Sequence, residues 1–109
     1  MAVINFEGYG EMYELSFKIS SYETYGNLAI IIMSKDKDGF VEPYAHLTTN
    51  ICPLEKDNLA CIDTNNFPEA IDIIEKYKLG TFTGMRIPSG YCEYPVYEMD
   101  MNELNKYKY

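Results

Sequence analysis

The amino-acid sequence predicts an α+β fold: a twisted, mainly antiparallel sheet of about five strands with one main helix packed on a face. Three segments lead to this prediction. Residues 12–20 alternate between apolar and polar side chains, residues 28–33 form an unbroken apolar run, and residues 66–79 have apolar side chains at helical spacing. A chain of 109 residues is expected to form a single domain, residues 1–109, with a polar tail from about residue 100.

The first two predicted strands differ in how they are covered. Residues 12–20 (MYELSFKIS) predict a strand with one buried face, because every second side chain is apolar. Residues 28–33 (LAIIIM) are apolar throughout, which predicts a central strand covered on both faces. The dipeptide Asp38-Gly39 then indicates a hairpin turn. The side chains assigned to the buried face of the first strand are Tyr13, Leu15, Phe17 and Ile19.

A third and a fourth strand are predicted after this turn. The third covers residues 43–51 and the fourth covers residues 59–63, with a loop at residues 52–58 between them. If the third strand is continuous, Leu47 lies on its more apolar face and Thr48 on its more polar face. Pairing of the two strands across the loop places Cys61 opposite about Thr49.

Residues 65–80 (NNFPEAIDIIEKYKLG) predict the one main helix. Asn66 is placed to cap it, Glu69 lies three residues later in the capping-box position, and Pro68 falls in the first turn. Gly80 is placed to end the helix. The side chains predicted to pack on the sheet are Phe67, Ala70, Ile71, Ile73, Ile74 and Tyr77.

The last part of the chain predicts one more strand. Residues 83–90 have the composition of a loop, and residues 91–99 (YCEYPVYEM) read as a strand. Pro95 within it indicates an edge position or a bulge, because proline has no N–H for the sheet. The polar residues 102–109 are expected to be frayed or to form a short helix.

Charge is the strongest clue to function in the composition. Seventeen acidic residues against nine basic ones give a net charge of -8. This balance argues against direct binding of nucleic acid and of anionic membranes, and it favours a protein partner with a basic surface. Solubility alone remains the alternative explanation. The acidic residues that we predict to contact a partner are Glu69, Asp72 and Glu75 on the helix, with Asp36 and Asp38 in the hairpin turn as a second patch.

The only histidine and the three cysteines do not have the spacing of a metal or catalytic site. No CxxC or HxxxH pair occurs, and His46 and Cys52 would lie roughly 20 Å apart along an extended strand. Catalysis by a cysteine–histidine pair requires contact at about 3 Å. We therefore expect no metal, no cofactor and no enzymatic activity. Whether Cys92 approaches His46, Cys52 or Cys61 stays open at this point.

The sequence also predicts a cellular location. The N-terminal residues lack the basic start and long apolar run of a secretory signal, and the run at residues 28–33 is too short to span a bilayer. Three cysteines cannot all pair within one chain, which favours a reducing compartment. We expect a cytoplasmic protein.

Four segments between residues 25 and 99 resemble an uncharacterised bacterial family, domain of unknown function 4313. They are NLAI (27–30), LTTN (47–50), IDTNNFPE (62–69) and TGMRIPSGYCEYPVY (83–97). The resemblance implies a small bacterial protein of the kind often carried on conjugative elements and phages. Because the family has no established catalytic residues, it implies no site residue in this chain.

Charge and resemblance together suggest a non-enzymatic inhibitor of the anti-CRISPR type. Such a protein would bind a basic, nucleic-acid-handling effector, for example a CRISPR nuclease, and its carboxylates would compete with phosphate for Arg and Lys side chains. One alternative is a protein- or peptide-binding module of a conjugative element, either monomeric or joined as a homodimer through the strand that contains Pro95. Another is a small metal-binding module.

Overall fold

The first four strands form one antiparallel sheet, sheet A. The computed structural model describes residues 3–109. In sheet A each strand pairs with the next along the chain, so the order is β1-β2-β3-β4. The buried side chains of residues 12–20 are those that the alternation predicts, and the LAIIIM run is an inner strand, as predicted. The strands are β1 (Ile4–Gly8), β2 (Glu11–Ser21), β3 (Leu28–Lys35) and β4 (Val41–His46).

The rest of the chain forms a second antiparallel sheet, sheet B, and two short helices. The strand order of sheet B is β5-β6-β8-β7, so β7 is an edge strand and β8 is an inner strand. The strands are β5 (Thr48–Thr49), β6 (Leu59–Ile62), β7 (Gly80–Ser89) and β8 (Cys92–Met99). The helices are α1 (Ala70–Lys76) and α2 (Met101–Asn105).

The α+β class is therefore correct, and the prediction of one sheet of about five strands gives way to two sheets of four strands each. Two strands were not predicted: β1, and β7, which replaces the expected loop at residues 83–90. The predicted third strand divides into β4 and β5 because the chain bends at Leu47 and passes from sheet A to sheet B. Thr48 is consequently buried, and its hydroxyl accepts a hydrogen bond from the Ile30 N–H at 3.0 Å. Cys61 does pair with Thr49, as predicted.

Helix α1 begins later and ends earlier than predicted. Asn66 does not cap it, because its N–H and its side-chain amide both donate to the Asp63 carboxylate. At the other end Lys78, with φ of 55°, adopts the left-handed conformation that usually falls to glycine. Gly80 instead starts β7, where a Cβ would lie 2.9 Å from the Glu98 carbonyl oxygen. This glycine allows the close approach of β7 to β8.

Pro95 lies in an inner strand and not at an edge. Its partner in β7 is Arg86, and a bulge interrupts that strand between Phe82 and Arg86, so the predicted bulge lies in the partner strand. On the other side, the pairing of β6 with β8 stops at Val96. Pro95 therefore lies just beyond the residues of β8 that pair with β6, where an N–H group is not needed for that pairing. The strand that contains Pro95 is therefore not the edge strand through which the homodimer alternative was expected to join.

The C-terminal residues pack against sheet A. They form α2, whose N-cap Asp100 accepts hydrogen bonds from two backbone N–H groups. After this helix the chain runs beside β2, where the Phe17 N–H donates to the Tyr107 carbonyl and the Tyr109 N–H donates to the Phe17 carbonyl. Of the two expectations for the tail, the short helix is correct.

One buried core joins both sheets and both helices. The large, fully buried side chains of the core come from sheet A (Ile4, Phe17, Ile30, Ile32), sheet B (Ile62, Met99), the two helices (Ile74, Leu104) and the connecting segments (Leu47, Leu79).

Within residues 3–109, no helix is long and apolar enough to cross a membrane.

Candidate functional site

Two hairpin turns lie together at one end of sheet A. The strands are antiparallel, so the β1–β2 turn at Tyr9 and Gly10 and the β3–β4 turn at residues 36–40 share the same end. The side chains of Tyr9, Met12 and Phe40 are 94%, 58% and 72% exposed there. Exposed aromatic and methionine side chains in one area are typical of protein-binding surfaces.

A bulge in β4 directs Tyr44 into this end of the sheet. Ile32 pairs with Ala45 and Met33 pairs with Pro43, so Tyr44 is the additional residue between two regular pairs. Bulges re-aim side chains in this way and are frequent beside functional sites. The Tyr44 hydroxyl reaches β1, where a Cβ on Gly8 would lie 2.6 Å from it. Glycine at position 8 therefore makes room for the tyrosine.

The Tyr44 ring is part of a packed group of four aromatic rings. Its centroid lies 5.6 Å from those of Phe6 and Tyr13 and 6.0 Å from that of Phe67. Phe6 and Phe67 are themselves 5.9 Å apart, which connects β1 to the segment that leads into α1. Edge and tilted arrangements at these separations are favourable for aromatic pairs. The rings fix the positions of β1, β4 and α1 at this end.

Carboxylates surround the aromatic group. Burial, followed by the charges of Tyr9 and Glu69, raises the pKa of Tyr44. Partial burial, followed by Glu11, Tyr44 and Asp36, raises the pKa of Tyr13. Both phenols therefore stay protonated at neutral pH and can donate hydrogen bonds. We call this area the hairpin-end surface, and its residues are Glu7, Tyr9, Glu11, Tyr13, Asp36, Asp38, Tyr44 and Glu69.

An open hollow of about 430 Å³ lies within the hairpin-end surface. One wall is β1 and its turn, from Phe6 to Tyr9, and the other is the segment from residue 66 to 69 that leads into α1. Tyr44 lies between the two walls. Two carboxylate residues, Glu7 and Glu69, line the hollow, and no lysine or arginine is among the described residues around it.

The turn at Tyr9 and Gly10 has an unusual backbone. Its two central residues have φ of 53° and 78°, as in a type I′ hairpin turn. Asparagine or aspartate usually takes the first of these positions, because a bulky side chain in the left-handed conformation costs about 1–2 kcal/mol. The Tyr9 side chain is almost fully exposed, so its packing does little to offset this cost.

The structure separates the five predicted partner-binding residues. Glu69 lines the hollow, and Asp36 lies close enough to Tyr13 to affect its pKa. Oδ1 of Asp36 also accepts hydrogen bonds of 2.9 Å from the backbone N–H groups of Asp38 and Phe40, so Asp36 holds its own turn together.

The other three predicted residues are all exposed but do not share one environment. Asp38 lies in the β3–β4 turn, and Asp72 lies on α1. Glu75 accepts a hydrogen bond of 3.0 Å from the Tyr97 hydroxyl of sheet B, and burial together with this bond raises the pKa of Tyr97 to about 12. The predicted acidic helix face is therefore divided: Glu69 belongs to the hairpin-end surface, and Glu75 is bound to sheet B.

The cysteines and the histidine do not assemble into one site. All three cysteines are free thiols, and within residues 3–109 no three His, Cys, Asp or Glu side chains are grouped closely enough to hold a metal. Cys61 is buried, and burial followed by Cys52 raises its pKa to about 11. Cys92 lies four residues along β8 from Val96, the partner of Cys61, which is about 13 Å. His46 is exposed at the end of β4.

Sequence reasoning missed Glu7, Tyr9, Glu11 and Tyr44. The segment INFEGYGE does carry a signal, because apolar and polar residues alternate up to Gly8 and a Tyr-Gly pair follows. No comparable signal marks Tyr44, since a bulge depends on how β4 pairs with β3.

Comparison with protein families gives one clear result. The family model "Domain of unknown function (DUF4313)" matches residues 16–109. The chain belongs to this family. The match extends the resemblance noted from the sequence into β2 and α2, and it begins after the Tyr9 turn, so β1 lies outside the matched residues. No significant match was found among curated proteins or among solved structures.

Proposed function

We propose that this DUF4313 protein is a non-enzymatic, cytoplasmic binding protein. In this proposal its hairpin-end surface occupies a basic surface of a nucleic-acid-handling partner. The observation that carries the proposal is the position of Glu69, Tyr9 and Tyr44 around one hollow without a neighbouring lysine or arginine. Carboxylates beside exposed aromatic rings suit a partner that is rich in Arg and Lys.

Two properties of the surface support this proposal. The Glu69 carboxylate makes no hydrogen bond or ion pair within residues 3–109, so it is available to a partner. Four aromatic rings hold the surface in place, so little conformational entropy would be lost on binding. Rigid aromatic groups with neighbouring charges are common at the centres of protein interfaces.

The class of partner follows from charge and from the family. A protein with net charge of -8 competes with phosphate for a cationic groove more readily than it binds nucleic acid itself. Within the DUF4313 family, the mobile-element setting expected from the sequence leads us to propose an inhibitor of the anti-CRISPR type. Its partner would be a CRISPR effector nuclease.

Charge reversal at the hollow tests the proposal. The double variant Glu7→Lys/Glu69→Lys should bind a purified CRISPR effector nuclease at least about tenfold more weakly than the wild type, and should lose inhibition of DNA cleavage. Its melting temperature should stay close to that of the wild type, because both residues are exposed. Biolayer interferometry and a cleavage assay measure these effects.

The matched control is Glu23→Lys/Glu93→Lys, which changes net charge equally at two exposed residues outside the hairpin-end surface. It should bind nearly as well as the wild type. Equal weakening by the two double variants would show a general charge effect and contradict the proposed surface. A nuclease that cuts normally in excess wild-type protein would contradict the choice of partner.

A further inference from the structure

We infer that the hollow receives an arginine side chain of the protein partner, with the guanidinium group against the tyrosine rings and beside the Glu69 carboxylate. This inference rests on the proposed function and deepens it, because it names the residue that anchors the partner. The hollow is about 430 Å³ and open to solvent on one side, so a single long side chain can enter it.

The polar groups around the hollow favour a cation. Glu69 is close enough to Tyr44 to raise the pKa of its hydroxyl, which places a carboxylate beside the ring. Glu7 adds a second acidic residue on the β1 side. Tyr9 and Tyr44 supply aromatic surfaces, whose negative faces attract cations. A cation bound in the hollow would contact a carboxylate and aromatic rings at the same time.

The geometry favours arginine over lysine. A guanidinium group is planar, stacks on aromatic rings and can form two parallel hydrogen bonds with one carboxylate. A lysine ammonium group is more strongly hydrated and would lose more solvation energy in a site with ring walls. Asn66 and Pro68 line the hollow on the α1 side and add no competing cation.

The exposure of Tyr9 makes its ring available to a partner. The side chain is almost fully exposed, and the residue lines the hollow. Gly8 leaves room for the Tyr44 hydroxyl to reach β1 beside it. The two tyrosines therefore supply rings to one hollow from the β1–β2 turn and from β4.

The chain contains a matched control for Tyr9. Tyr25 and Gly26 lie in the loop at the opposite end of sheet A, with φ of 68° and 69°, and Tyr25 is 53% exposed. Asparagine tolerates this conformation well. Both Tyr9→Asn and Tyr25→Asn should therefore melt at a higher temperature than the wild type, and only Tyr9→Asn removes a ring from the hollow.

The test compares peptides of nine arginines and nine lysines, which have equal length and charge, by isothermal titration calorimetry at physiological salt. The wild type should bind the arginine peptide about tenfold more tightly than the lysine peptide. Tyr9→Asn and Glu69→Gln should each reduce this preference to near parity. Tyr25→Asn and Glu23→Gln should keep it.

The possible results separate the inference from the proposed function. Equal wild-type affinity for the two peptides, or an unchanged preference in Tyr9→Asn, would overturn the arginine site and leave a general acidic binding surface. Absence of wild-type binding to both peptides would overturn the inference and the proposed function together. An arginine preference that Tyr9→Asn removes and Tyr25→Asn retains supports the inference.

Discussion

At one end of sheet A the chain turns through Tyr9 and Gly10, and at the other end it turns through Tyr25 and Gly26. All four residues have positive φ, so a tyrosine followed by a glycine adopts the left-handed conformation at both ends. Their surroundings differ. Around Tyr9 lie aromatic rings and the exposed carboxylates of the hairpin-end surface.

Beyond the Tyr25 turn, polar side chains bind the protein itself. Asn27 is 5% exposed, and its amide donates to the Asn50 side chain at 2.9 Å and to the Cys52 carbonyl at 2.7 Å. Its oxygen accepts from the Leu54 N–H at 3.2 Å. One buried side chain thus ties the turn to the loop that follows β5.

The comparison shows two uses of polar residues in one sheet. At the Asn27 end, hydrogen bonds within the chain satisfy the polar groups, so these groups contribute to stability. At the hairpin end, aromatic packing supplies the stability; the Glu11 and Asp36 carboxylates accept hydrogen bonds within the chain, and the exposed Glu69 carboxylate at the hollow accepts none within residues 3–109. The second arrangement is the one that a binding surface requires.

The largest loss of stability is expected when Asn27 is replaced. Asn27→Ala removes three hydrogen bonds and leaves partly buried partners unsatisfied, which should lower the free energy of unfolding by about 2–4 kcal/mol. Urea denaturation followed by circular dichroism measures this change.

The matched change at the hairpin end is Glu7→Gln/Glu69→Gln. Because both side chains are exposed, the free energy of unfolding should stay within about 0.5 kcal/mol of the wild type. If this double variant were as destabilised as Asn27→Ala, the carboxylates would be structural, and the contrast between the two ends would be wrong.

A smaller loss of stability is expected at alkaline pH, from a cysteine near the Asn27 end. Burial, followed by Cys52, raises the pKa of the Cys61 thiol from 9.0 to about 11. Between these values the unfolded chain releases the proton and the folded chain keeps it. The protonated Cys61 thiol therefore makes its full contribution to the free energy of unfolding below pH 9. This contribution, on the order of 1 kcal/mol, is lost as the pH rises to about 11.

Thermal denaturation of Cys61→Ala across this pH range checks the assignment. Stability of the variant should fall less steeply with pH than that of the wild type. Cys92→Ala, which removes a thiol four residues from the β8 partner of Cys61, should keep the wild-type slope. The same slope in all three proteins would assign the loss to other groups, such as Tyr97.

Local pattern was enough to predict much of sheet A and the existence of α1. Alternation in residues 12–20 and the apolar run at 28–33 are direct consequences of how strands are covered, so both survive in β2 and β3. Cys61 and Thr49 pair as predicted, because the register follows from which side chains each strand buries. The acidity of the α1 face was also visible, and Glu69 does line the hollow.

The remaining features depend on contacts that the local pattern does not encode. Turn-like composition at residues 83–90 suggested a loop, but pairing with β8 draws most of this segment into β7 and confines the irregularity to a bulge. The capping residues of α1 were misplaced because Asp63 binds Asn66 before the helix begins. Tyr44 joins the site only through its bulge and the glycine at position 8.

One measurement tests most directly whether the hairpin end binds the partner. A photoreactive residue is introduced separately as Tyr9→p-benzoylphenylalanine and Tyr25→p-benzoylphenylalanine, and each protein is irradiated in lysate of the host bacterium. Mass spectrometry then identifies the crosslinked proteins. We expect a basic, nucleic-acid-handling protein to be crosslinked from position 9 and not from position 25. The same partner crosslinked from position 25 alone would contradict the assignment of the binding surface.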